Sequence, residues 1–188
     1  MTDAKRRARQ ERLETVHQDN AADVLSFLGR RVTTPADAAD ALSETFIAAW
    51  RHIDRMPADP VQARMWLFGV ARRVASNARR SSDRRDALTA RLGEQLETLQ
   101  PTQTDDTTES VLTAISELPR NQAELIKLVL WDGFTVVEAA SIVGVRESTA
   151  RGRYQRARLR LRQPLRDPGE QDVRGRVSLK GSAAHVDH

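Results

Sequence analysis

Apolar residues along this chain recur mostly at three- and four-residue intervals, and the strict alternation that marks a half-buried strand is scarce. In Asp37–Ile53 the stripe is Ala38, Leu42, Phe46, Ala49 and Ile53, which predicts a strong amphipathic helix. Ala21–Val32 carries Val24, Phe27 and Leu28 on one side and predicts a helix before it. Thr33-Thr34-Pro35 and Met56–Pro60 read as breaks. A third helix is predicted from Gln62 to about Arg80, with Trp66, Val70, Arg73/Val74 and Asn77 along one side, and a fourth, polar helix over Arg84–Leu99. Residues 1–18 are charged and poorly patterned and are expected to be frayed or disordered.

The pattern stops at QPTQTDDTTES, Gln100–Ser110, which has no large apolar residue and carries Asp105, Asp106 and Glu109. Such a stretch cannot bury enough surface to order itself and reads as a linker. Short apolar stripes resume in Val111–Glu117, Asn121–Trp131, Val136–Val143 and Glu147–Leu161, and periodicity ends after Pro164. The expected fold is all-α, with two small helical domains at 20–98 and 111–164. An acidic linker at 99–110 joins them, and an N-terminal extension (1–19) and a tail expected to be disordered (165–188) flank them.

Composition narrows the chemistry. Aromatic residues are only 4% of the chain, so Ala, Val and Leu must do most of the packing. The absence of cysteine excludes disulfides and thiolate metal sites. No apolar run approaches the roughly 20 residues of a membrane span, and MTDAKRRARQERLE has no apolar core of the secretory kind, so a cytoplasmic protein without membrane insertion is expected. Net charge is +4 with a pI of 10.2, and the only lysines are Lys5, Lys127 and Lys180. Arginine's planar fork suits phosphate. A GC-rich genome enriches arginine equally well, so position has to decide.

Position points to Val145–Arg162, VRESTARGRYQRARLRLR, where seven arginines face one acid, Glu147. On a helix, Ala150, Tyr154, Ala157 and Leu161 form an inward stripe, while Ser148, Arg151, Gly152, Gln155 and Arg156 lie outward. The preceding TVVEAASIVGV is a short helix ending at Gly144, which suits a left-handed helix end, and Ala139 and Ala140 allow close helix approach. A short helix, a Gly turn and a basic helix make the helix-turn-helix layout, whose second helix enters the DNA major groove. The plainer alternative is a helical hairpin with a solvated charged face. Gly152 weighs against it: a mid-helix glycine costs about 1 kcal/mol relative to alanine, and close backbone approach to a ligand would account for it.

Three segments carry a family resemblance. DAADALSETFIAAW (Asp37–Trp50) resembles the core-polymerase-binding segment of the extracytoplasmic-function (ECF) sigma factors, a subfamily of the sigma-70 family. WLFGVARRVASNARRSSDRR (Trp66–Arg85) resembles their promoter-melting segment, and Glu117–Arg162 is similar to their region 4. The three occur in the family's order and spacing, and the resemblance covers about residues 20–164.

The resemblance implies a specificity subunit of bacterial RNA polymerase, with no catalysis of its own and no cofactor or metal. Its implied partners are core RNA polymerase (β′ clamp and β flap) and promoter DNA, with an anti-sigma factor as a further candidate. Core-binding positions would be Asp37, Asp40, Ser43, Glu44 and Ile47. The −10 element and strand opening would involve Trp66, Arg72, Arg73, Asn77, Arg79 and Arg80. The −35 element would be met by Arg146, Ser148, Thr149, Arg151, Gly152, Gln155, Arg156 and Arg158. The residues agree: Asp40, Ser43, Glu44 and Ile47 face away from the Leu42/Phe46/Ile53 stripe, and Arg72–Arg85 is a basic run opposed only by Asp83. Asn77 and the segment after it, expected to turn, could hold an unstacked base and phosphates. Solvent-facing charges and a core Trp66 are the plainer readings of the same residues.

The chain also departs from the family. Ala39, Ser43 and Ala48 stand where longer polar residues are usual, Glu147 and Ala150 where apolar ones are, and Gly152 replaces a common serine. The promoter sequence therefore does not carry over. An ordinary helix-turn-helix regulator would not need the domain at 20–98, and a pure interaction module would bind its partner without directing transcription. An enzyme would need a motif that is absent here: there is no Gly-rich phosphate loop, no H-E-x-x-H and no nucleophile elbow, and His17, His52, His185 and His188 are scattered.

Overall fold

The structure, a computed structural model, describes the backbone of residues 3–92 and 106–162 and the side chains of residues 3–84 and 111–162. The described residues form seven α-helices and one short 3₁₀ turn, with no strand among them. The first domain holds α1 (Asp3–Gly29), α2 (Pro35–Arg51) and α3 (Pro60–Leu92), with a 3₁₀ turn at Ile53–Arg55. The second holds α4 (Asp106–Ser116), α5 (Arg120–Leu130), α6 (Val136–Val143) and α7 (Glu147–Arg162).

Helix α1 corrects the expectation for residues 1–18, because it is continuous from Asp3. Its amphipathic signal is weak, yet its arginines are anchored tertiarily. Arg12 donates to the carbonyls of Met56 (2.5 Å) and Pro57 (2.6 Å), and Arg9 donates to that of Trp50 (3.3 Å) while its guanidinium lies over the Trp50 ring. The carbonyls of Met56 and Pro57 at the α2–α3 connection thus gain donors, and the His17 ring packs on Phe46 with centroids 4.6 Å apart.

Helix α2 starts at a capping box. Thr34 Oγ1 accepts from the Asp37 N–H at 3.0 Å, and the Asp37 carboxylate accepts from the Thr34 N–H at 3.2 Å. Its inward face buries Ala38, Ala41, Thr45 and Ala49, with Leu42 and Phe46 half-buried beside them. Ile53 is buried as expected but belongs to the 3₁₀ turn. Helix α3 runs unbroken from the helix expected over 62–80 into the one expected over 84–99, as far as Leu92, so the segment after Asn77 is helix and not turn; residues 93–99 lie outside the described residues. Ser81 and Ser82 lower helix propensity by only a few tenths of a kcal/mol each, and no Gly or Pro interrupts the run.

Asp106–Ser110, expected in the linker, opens α4; Asp105, the rest of the linker and the tail lie outside the described residues. Helix α5 ends at Leu130, and Gly133, with a φ of 73°, lets the chain reverse so that the Phe134 N–H reaches the Leu128 carbonyl at 3.0 Å. Thr135 and Glu138 cap α6 reciprocally, and Gly144 (φ 72°) ends it in the left-handed conformation expected of it. Ala150 and Ala157 of α7 are fully buried, with Tyr154 and Leu161 packed alongside Ala157, so the expected inward stripe is present.

The two domains pack on each other, which the linker reading did not foresee. Phe134, from the α5–α6 turn, inserts its ring edge-on against Phe68 of α3 (4.8 Å), which in turn meets Phe27 of α1 (5.2 Å). Beside it the buried Asp132 carboxylate lies between two guanidinium groups just after α1, accepting from Arg31 at 2.9 Å and from Arg30. Burial pushes the Arg31 guanidinium below its ordinary value, and the Asp132 charge opposes that shift. Leu125, Leu128, Ala139, Ala140, Ile142 and Ala150 join one apolar core with α1–α3, while Ile115, Leu118, Ile126 and Ala157 form a separate small one.

Candidate nucleic-acid interface

The outward face of α7 is open. Arg146, Ser148, Thr149, Arg151, Gln155, Arg156 and Arg158 are all exposed, and Gly152 is half-buried among them. The helix-turn-helix hairpin positions them: Gly144 sets the angle between α6 and α7, and small residues on both helices hold the contact. Arg151 pairs with Glu147 one turn back, an exposed pairing of the kind that contributes about 0.3–0.5 kcal/mol and yields readily to phosphate. A Cβ on Gly152 would meet nothing nearer than the Arg156 guanidinium at 4.0 Å, so packing within the chain does not require glycine there.

The corresponding face of α3 is divided. Trp66, Arg72 and Arg73 line a crevice of about 380 Å³ whose opposite wall is Ser141, Ile142, Val143 and Gly144 of the second domain. Arg72 is further engaged by Glu124 of α5, through Nε at 2.5 Å and the terminal nitrogen at 3.1 Å, a forked geometry that a phosphate would also accept. One turn further on, Asn77, Arg79 and Arg80 are exposed, and Arg80 donates to the Asn77 side chain at 2.5 Å. Sequence placed these six residues in one set, whereas the structure puts Trp66, Arg72 and Arg73 along the crevice against the second domain and Asn77, Arg79 and Arg80 outside it. The side named for α3 holds only in part: Val70 and Val74 are buried, Trp66 is half-buried against the core, and Arg73 and Asn77 are exposed.

On α2, Asp40, Ser43, Glu44 and Ile47 are exposed together, and Ile47 is the largest apolar residue among them at 51% exposure. Ser43 turns its hydroxyl back to the Ala39 carbonyl at 3.1 Å. Asp37 stands apart from this group, since its carboxylate is spent on the α2 cap. Sequence reasoning passed over Asp132, Phe134, Glu124, Arg30 and Arg31, which govern access to α3. The only signal was an acid and a ring flanking Gly133 in the short gap between the Asn121–Trp131 and Val136–Val143 stripes.

No helix among the described residues is long and apolar enough to cross a membrane. The family model for Sigma-70 region 2 matches residues 16–85, and that for Sigma-70 region 4 matches residues 108–161. The chain is 34% identical over 142 residues to the ECF RNA polymerase sigma factor EcfG of Rhodopseudomonas palustris (strain TIE-1), covering 73% of this chain and 76% of that one. It is 25% identical over 162 residues to the ECF RNA polymerase sigma factor SigL of Mycobacterium tuberculosis, covering 84% of this chain and 90% of the relative. Among solved structures, the fold is similar to the sigma factor RpoE in complex with the anti-sigma factor NepR from Bartonella quintana. That match has a TM-score of 0.59 at 24% identity and covers 85% of this chain and 98% of the other. CnrH, solved with the cytosolic domain of CnrY, gives the same TM-score at 21% identity and covers 85% of this chain and 91% of the other. Sigma factors are regulatory and non-catalytic, which fits a fold whose described features are surfaces. With both regions matched in order, and a relative above 30% identity over most of its length, the chain belongs to the ECF sigma factors of the sigma-70 family and directs transcription initiation by RNA polymerase.

Proposed function

We propose that this sigma factor docks on the polymerase clamp through the outer face of α2 and grips the upstream promoter element with α7. It opens DNA with α3 once the second domain has moved off that helix. The observation that carries the reading is the division of surfaces: α2 and α7 present their polar faces to solvent, while half of the α3 set faces the second domain. Asp40 and Glu44 beside an exposed Ile47 suit an arginine-bearing partner helix. Leu112 and Leu130, both exposed, with the half-buried Trp131 at the α4–α5 edge, are an apolar patch of the kind the polymerase β flap would cover. The protein acts in the cytoplasm with the polymerase, and an anti-sigma factor, as the similar RpoE structure contains, is a further candidate partner.

The test is reconstitution of the full chain with bacterial core polymerase on cognate promoter DNA. Initiation at a defined start supports the reading; core binding without initiation would make the chain an interaction module. Reversing both Asp40 and Glu44 should weaken core binding in a pull-down titration while leaving helicity intact. Alanine at Asn77, Arg79 and Arg80 together should impair open-complex formation on duplex DNA and be rescued on a premelted template. Loss on both templates would place the defect in folding or core binding instead.

A further inference from the structure

Where the end of α1 meets α3 and α5, between the two domains, lies a cleft of about 650 Å³. Six cations line it: Arg30 and Arg31 after α1, Arg72 and Arg79 on α3, and Arg120 and Lys127 on α5. Two acids answer them. Asp132 takes Arg30 and Arg31, and Glu124 takes Arg72. Arg79, Arg120 and Lys127 form no ion pair with any described residue. Burial holds the Lys127 ammonium below its ordinary value, and the nearby Arg31 and Arg79 charges push the same way. Helix α5 also begins here. Its N-cap is Pro119, which offers no side-chain acceptor, so the free N–H groups of the first turn add positive potential to the same wall. Ser76 and Asn121 add neutral hydrogen-bond donors.

We propose that this cleft binds a small polyanion carrying two or more phosphate groups, held by Arg79 from the first domain and by Arg120 and Lys127 from the second. Its volume falls within the roughly 300–1,000 Å³ of small-molecule sites. None of its lining residues is aromatic, so it lacks the stacking platform that single-stranded nucleic acid uses. Because the donors come from both domains, occupancy stabilises their packing by linkage. The consequence for transcription, slower strand opening when the ligand is bound, rests on the function proposed above; the binding does not.

The test is calorimetric titration of the full chain with inorganic tripolyphosphate, GTP and inorganic phosphate. Tripolyphosphate and GTP should saturate a single site at least about tenfold more tightly than phosphate. Equal affinity for tripolyphosphate and GTP would mean that phosphates alone are read, whereas a preference for GTP would mean that the nucleoside contributes. Replacing Arg120 and Lys127 with Gln should weaken binding by about tenfold or more, and Arg79→Gln, on an exposed part of α3, should do so without risk to the core. Lys127→Arg should retain binding. Removing equal charge at the exposed Arg6 and Arg7 should change nothing. Amide exchange at residues 131–134 should slow when tripolyphosphate is bound. Titrations that do not saturate, or equal losses from the Arg6/Arg7 and Arg120/Lys127 variants, would overturn the proposal. So would tighter binding of single-stranded DNA or polyaspartate at the same residues. An unmodified chain that binds no polyphosphate yet supports normal promoter-directed initiation would reject this site and leave the sigma-factor reading intact.

Discussion

Helices α7 and α3 carry the two surfaces proposed for promoter DNA, and they are in opposite states. Arg151, Arg156 and Arg158 of α7 are exposed, whereas Arg72 and Arg73 of α3 border a crevice against the second domain, and Arg72 is already forked onto Glu124. The difference does not lie in the kind of residue, since both faces are built from arginine. An arginine fork accepts carboxylate and phosphate in the same geometry, so a surface shaped for phosphate is equally a surface on which a well-placed carboxylate can sit, even one carried by a basic domain. In this molecule Glu124 occupies the Arg72 fork.

The largest expected way to break the contrast is Phe134→Ala. The ring is 4% exposed and wedged on Phe68, and removing such a side chain costs about 3–5 kcal/mol. The closed arrangement should loosen, raising the radius of gyration in small-angle scattering while α7 still binds DNA; an unchanged radius would mean that other contacts hold the domains. Asp132→Asn comes next. It removes the charge shared by Arg30 and Arg31, and because Arg30 is about a third exposed the expected loss is roughly 1–3 kcal/mol, read as a lower urea midpoint.

Two substitutions sharpen the contrast on the open side. Arg151→Ala and Arg156→Ala should each cost about 1–3 kcal/mol of discrimination at one base pair if the arginine reads guanine. If it only grips phosphate, each should flatten the log–log salt dependence of binding by about one unit. Arg73→Ala in the same assay should matter chiefly in the Phe134→Ala background, where α3 is uncovered. Gly152→Ala has the smallest expected effect: the helix gains about 1 kcal/mol in thermal unfolding, and DNA affinity falls because a methyl group now stands on the face that approaches the duplex.

Helices α5 to α7 were legible because their apolar spacing, the Gly144 stop and the stripe from Ala150 to Leu161 are all local signals. The outward set on α2 was legible for the same reason, as the complement of a clear stripe. The first half of α1 was not, because Arg9 and Arg12 find carbonyls 41 to 45 positions away, and no window of sequence contains both ends of those bonds. The unbroken α3 was missed because the polar, arginine-rich stretch after Asn77 has no apolar stripe to show that the helix continues. Asp37 was placed on a partner surface although Thr34, three residues before it, already offered the reciprocal cap. The covering of α3 was beyond reach of periodicity altogether. It depends on one acid and one ring in a four-residue reversal, and both become meaningful only when α1 and α3 are brought beside them.

Arg31 and Asp132, which help to hold the domains together, are 101 positions apart in the chain. Synthesis proceeds from the N-terminus at about 5–20 residues per second, so Asp132 is added roughly 5–20 seconds after Arg31. Late in that interval the growing chain has α1, α2 and α3 as far as Leu92 but no Phe134 to cover Phe68. The face of α3 that the second domain covers is therefore made before its cover. Closure of the two domains cannot precede the addition of Asp132 and Phe134, and so it comes late in the synthesis of each molecule.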